Sequence, residues 1–126
     1  MRRALIVLLA ASALLAGWVQ AADEVDMDLM QTIEDTHKSL SSNIALKDAK
    51  TGVNEARELA QMFTTVENHF AKKGDAQDAV DISKKSRDLA LQIVEHLNGK
   101  KFDAATDAAT AIGRGCRECH NFYKKS

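Results

Sequence analysis

The chain has 126 residues, no proline, 6 glycines and 2 cysteines, with 45% apolar and 28% charged side chains and a formal charge of −1. That length suffices for one small domain. A net charge that is negative, and more so once the first 21 residues are removed, argues against a nucleic-acid partner, which would call for a basic surface.

Met1, Arg2 and Arg3 precede an almost wholly apolar run from Ala4 to Gly17, and Val19-Gln20-Ala21 puts compact residues where a signal peptidase reads. This is the pattern of a secretory signal peptide over residues 1–21. The run falls short of the about 20 residues of a spanning helix, so cleavage is expected in preference to retention as an anchor, with no stable membrane insertion afterwards. Removing the first 21 of 126 residues leaves 105, and with Arg2 and Arg3 gone 15 basic side chains face 18 acidic ones, a formal charge of −3.

The mature part, residues 22–126, breaks into four helix-length periodic segments. The first is predicted from about Asp23 to Lys47, with Met30, Ile33, His37, Leu40 and Ile44 as its buried seam and Asp23, Glu24, Asp26 and Asp28 crowding its first turns. Lys47 to Gly52 reads as the connection. The second runs from Val53 to Lys73, with Leu59, Phe63, Val66 and Phe70 on one stripe beside Ala56, Ala60 and Met62. Gly74 supplies a left-handed cap, and Asp75 with Asp78 looks like an N-cap pair.

The third helix is predicted from Asp75 to Leu97, with Ala79, Ile82, Ser86, Leu89, Ile93 and His96 as its seam and Ala90, Val94 and Leu97 widening the face; Asn98-Gly99 stops it. The fourth runs from Phe102 to Lys125 along Phe102, Ala105, Ala109, Ile112, Cys116, Cys119 and Tyr123. Its core positions hold alanines where the others carry larger side chains. That thinness suits either a flat ligand against the helix or close packing over small residues. Four amphipathic helices with short connections favour an all-α, antiparallel up-down-up-down bundle.

Near the chain's end stand Cys116, Arg117, Glu118, Cys119 and His120. This CxxCH pattern is the one for covalent haem attachment in c-type cytochromes. Each sulfur adds across a porphyrin vinyl group and the adjacent imidazole reaches the iron as proximal ligand. Positions i, i+3 and i+4 share one helix face, so all three side chains can meet one planar ring. Rival readings fit less well. A thioredoxin-like dithiol expects a βαβ setting, a zinc site wants more ligands than the scattered His37, His69 and His96 offer, and a disulfide this local would stabilise little.

In the expected topology the first helix begins where the fourth ends, so haem lies level with its early turns, near the end of the bundle that holds the C-terminus. Met30 is on the seam at that height and is the expected distal ligand. Met27 is one turn nearer the end and less central, and His37 lies about 10 Å deeper. Glu34 and His37 make a single Glu-x-x-His pair, whereas a di-iron bundle needs two with further glutamates.

Cys116 to Lys124, on the last of four helices behind an export signal, resembles the cytochrome c′ family, covering the whole mature chain in architecture. The resemblance implies that Cys116 and Cys119 hold haem c and His120 is the proximal ligand. High-spin members leave the iron five-coordinate and bind nitric oxide or carbon monoxide; low-spin members carry a distal methionine and are regarded as electron carriers. Leu29-Met30-Gln31 is similar to the low-spin pattern, although Asp26 stands where an arginine is common and the helix connections are shorter. Relatives often pair through their first two helices, so a homodimer is among the expectations. The implied function is a periplasmic monohaem single-electron carrier, not an enzyme, acting with redox partner proteins; the rival is a five-coordinate gas-binding protein. Lys72, Lys73, Arg114, Arg117, Lys124 and Lys125 fall toward the haem end and could steer an acidic partner, although acidic residues share that end and a mixed-charge solvated face is the simpler reading.

Overall fold

A computed structural model of the protein describes residues 25–123, without the side chain of Tyr123; the proposed signal segment, 1–21, lies outside the described residues. Among the described residues the fold is all-helical, with α1 (Met27–Ala45), α2 (Ala49–Lys73), α3 (Gln77–Asn98) and α4 (Phe102–Tyr123). No described helix is long and apolar enough to cross a membrane.

Capping chemistry sets the boundaries. Asp26 is not part of the first helix but its N-cap, its carboxylate accepting from the Leu29 N–H at 2.8 Å. The first connection is tighter than Lys47 to Gly52. The N–H of Lys47 reaches the Ile44 carbonyl at 3.0 Å and that of Asp48 the Asn43 carbonyl at 2.9 Å, which closes α1 with a Schellman motif. Asp48 then caps α2, accepting from the Thr51 N–H at 3.2 Å.

One residue therefore ends a helix and begins the next, and Gly52 falls inside α2 rather than in a loop. It is buried there because a Cβ would lie 2.7 Å from the Leu97 Cδ1 and 3.7 Å from the Leu40 Cδ1, so its bareness lets α1 and α3 close on the start of α2. Gly74 ends α2 in the left-handed conformation, φ 77°, as the sequence suggests. The expected Asp75–Asp78 cap is not formed. Ala76 occupies the N-cap of α3 instead, with no polar side-chain atom to accept a hydrogen bond and its methyl buried at 5% exposure.

Gly99 does precede the second tight turn, but its φ is −88° and the left-handed residue is Lys100, φ 56°. The Lys100 and Lys101 N–H groups bond the Leu97 and His96 carbonyls at 3.0 and 2.8 Å, the same Schellman closure as at Lys47, φ 59°. A side chain at positive φ costs about 1–2 kcal/mol, part of which glycine returns through its freer unfolded chain. Lys100→Gly therefore raises stability by about 0.5–1 kcal/mol in urea unfolding; a loss of stability would mean that the lysine side chain stabilises the turn.

The core runs between all four helices, with Leu40, Leu59, Ile93, Leu97 and Ile112 fully enclosed. The main contacts run α1 to α2, α2 to α3, α3 to α4 and α4 back to α1. The last is the least extensive and the α2–α3 contact the most. A half-buried ion pair between Arg87 and Glu67 joins α3 to α2.

The buried seams of α1 and α2 follow the predicted stripes. That of α3 is turned by one position: Ala79, Ser83, Ser86, Ala90, Ile93 and Leu97 are buried, while Ile82, Leu89 and His96 lie at the margin. Ser83 can enter the interior because its hydroxyl donates to the Ala79 carbonyl at 2.6 Å, satisfying it within the helix.

Candidate cofactor site at the end of α4

The last turns of α4 carry the sulfur and imidazole groups, and the preceding turns fix how close the neighbouring helices come. Ala105, Ala108, Ala109 and Ile112 are buried. Further along, a Cβ on Gly115 would sit 3.3 Å from the Ser86 Oγ and 3.5 Å from the Ile82 Cγ2, so α3 rests directly on the glycine. Close helix packing thus accounts for the thin side chains as far as Gly115. On the opposite side a Cβ on Gly113 would lie 3.3 Å from the His37 Cε1 of α1.

Cys116 and Cys119 follow as free thiols, both half-buried, and Cys116 packs against the main core cluster. His120 is exposed. Burial pushes the Cys116 thiol above its ordinary range; the adjacent Cys119 and the Glu34 carboxylate of α1 push the same way, with Arg117 opposing them. Burial also raises Cys119. At neutral pH both therefore remain protonated, the opposite of the low-pKa thiolate that a redox CxxC pair employs. Cys116, Cys119 and His120 recur at i, i+3 and i+4, the spacing that lines one helix face. Among the described residues no three His, Cys, Asp or Glu side chains are gathered as a metal ion would need. The donor set fits haem c in kind, with two thiols to form thioethers and an accessible imidazole beside them.

The side chains expected as distal-ligand candidates differ in their surroundings. Met30 is half-buried and packs against the same core cluster as Cys116. Met27 is 82% exposed and off the seam. His37 is engaged elsewhere, its Nε2–H donating to the Ala109 carbonyl at 2.7 Å, across 72 positions of sequence. The Glu34–His37 pair is divided in the same way, since Glu34 meets Lys38 at 2.8 Å on the surface while His37 turns into the interface with α4. His69 stands edge-on to Phe70 on α2, and His96 lies in the last turn of α3.

Sequence reading missed the fit between His37 and Gly113. A histidine on an apolar seam and a Gly-x-Gly just before CxxCH were both visible, but only the helix pairing joins them. Arg114 and Arg117 are exposed, as are Lys72 and Lys73 at the end of α2; Lys124 and Lys125 lie outside the described residues. Compared with protein families, curated proteins and solved structures, the chain matches none.

Proposed function

We propose that the protein is a periplasmic monohaem c-type cytochrome carrying single electrons, in the manner of the low-spin members of the cytochrome c′ family. Cys116 and Cys119 hold haem c, His120 is the proximal iron ligand and Met30 the distal one. The pairing of α1 with α4 carries this reading. His37 meets Ala109 and Gly113, and Glu34 acts on Cys116. Met30 stands seven residues before His37, and Cys116 and His120 stand seven residues after Ala109 and Gly113, so equal steps along the two helices bring Met30 level with the CxxCH turn. That pairing is what an antiparallel up-down-up-down bundle requires, with haem near the end that holds the C-terminus, and the two Schellman turns are short enough to support it.

Haem, when bound, supplies a one-electron couple at its iron. The chain's own residues do the rest. Cys116 and Cys119 fix the ring to one face of α4, and the proposed Met30 thioether raises the reduction potential relative to a second imidazole. His120 and the proposed Met30 would both be taken up in holding the iron, which suits a carrier rather than an enzyme. Met30 packs against the core, and its flexible side chain lets the thioether adapt its position toward a ligand there. Redox partner proteins would dock at the bundle end, where the exposed Lys72, Lys73, Arg114 and Arg117 of α2 and α4 mix with acidic side chains.

The export signal supports the compartment, since c-type haem is attached outside the bacterial cytoplasm. The visible spectrum of protein exported with the haem-attachment machinery tests the reading. A Soret band, the weak far-red band of thioether-ligated ferric haem and little carbon monoxide uptake are expected. Ready carbon monoxide binding without the far-red band would favour the five-coordinate gas-binding alternative, and a colourless product would remove both.

A further inference from the structure

The α1–α4 contact is the least extensive of the four, yet it is the one across which a distal ligand on α1 must reach a ring fixed to α4. Residue spacing along the two helices makes its register a matter of specific chemistry. Met30 lies seven residues before His37, and Cys116 lies seven residues after Ala109, so each helix runs the same two turns, about 10 Å, from the His37–Ala109 bond to the site.

That bond is demanding. In a regular helix the Ala109 carbonyl already accepts from the Gly113 N–H, so the His37 Nε2–H uses its second lone pair. The imidazole reaches it by lying over Gly113, where any side chain would meet the ring at 3.3 Å. An axial slip of one residue, about 1.5 Å, would pull Nε2 away from its acceptor and push the ring toward the next residue of α4.

The geometry points to His37 as a positioning residue, pinning the register of α1 against α4 through Ala109 and Gly113 and so holding the Met30 thioether at the height of the iron. The inference rests on the assignment of Met30 as distal ligand. It gives His37 a part in the site without a place in the coordination sphere, and it gives Gly113 a reason to lack a side chain.

Loss of the pin weakens the sulfur's hold, and carbon monoxide, which competes for the same position, reports the weakening directly. In the haem-loaded protein, His37→Leu keeps the volume and removes the donor. Carbon monoxide affinity of the reduced form should rise by about 2- to 13-fold, the range for loss of one hydrogen bond, and the ferric far-red band should weaken. His37→Gln, whose amide can donate over a similar reach, should restore most of both. Gly113→Ala, which favours the helix itself, should shift both in the same direction as leucine if the ring is displaced.

Amide hydrogen exchange supplies a readout independent of ligand binding, with faster exchange in α1 before His37 and unchanged protection in α2 and α3. A His37→Leu protein with wild-type circular dichroism, band intensity and carbon monoxide affinity overturns the inference alone. A wild-type protein lacking the far-red band overturns the Met30 assignment first, and the inference with it.

Discussion

If the proposed haem attachment is right, replacing Cys116 and Cys119 together by alanine should leave the exported chain with the mass of its polypeptide alone and remove its covalent Soret absorbance. The two thiols are the only sulfurs of their kind in the chain, so nothing else can form a thioether to a porphyrin vinyl group. Each single replacement should leave one linkage, with retained colour and a red-shifted absorption because one vinyl group stays conjugated with the ring. The thiols also contribute little to folding by ionic means, since both are held protonated by burial. The double variant should therefore show the same helical circular dichroism before haem attachment, with thermal stability within about 1–2 kcal/mol of the unloaded wild type, the cost of trimming two half-buried side chains. The expectation is checked by intact mass and by haem staining under denaturing conditions. Covalent colour surviving the double replacement would assign attachment to other residues.

Much of the fold is legible in the sequence because the periodicity is strong and proline is absent. The seams of α1 and α2 emerge at the expected positions, and the CxxCH face needs no tertiary information at all. What is not legible comes from packing. Ser83 displaces Ile82 from the α3 seam because a serine that returns its hydroxyl to its own helix can be buried at little cost, and a hydropathy pattern reads it as polar. Gly52 resembles a loop residue until Leu97 and Leu40 are seen to need its missing Cβ. Lys47 and Lys100 occupy left-handed positions for which no residue-type rule selects lysine; the adjoining helices impose the turn and the side chain tolerates it. His37 illustrates the same divide at the site. Its level along α1 argued against iron ligation from spacing alone, whereas its bond to α4 required the two helices in place.

Met30 is the residue on which the distinction between a carrier and a gas binder turns, and a volume-conserving substitution separates its two roles. As core filler it packs against the cluster that includes Ile33, Phe63 and Ile112, a role leucine can assume at less than about 1.5 kcal/mol. As ligand it contributes a sulfur that leucine lacks. Met30→Leu should therefore leave the urea midpoint of the unloaded protein nearly unchanged and, in the haem-loaded protein, abolish the far-red band, open the iron to carbon monoxide and lower the reduction potential by on the order of 0.1 V, within the span of about 0.8 V that axial ligands control. Met30→Ala should do the same to the spectrum while also costing about 1–3 kcal/mol of stability through the space it leaves, so that the difference between the two variants isolates packing from ligation. Met27, standing largely in solvent, serves as the control: Met27→Leu should alter neither spectrum nor stability. If the band and potential survive in Met30→Leu but disappear in Met27→Leu, the start of α1 must reorganise on haem attachment to bring the exposed methionine inward, and the register fixed by His37 and Ala109 would have to shift with it.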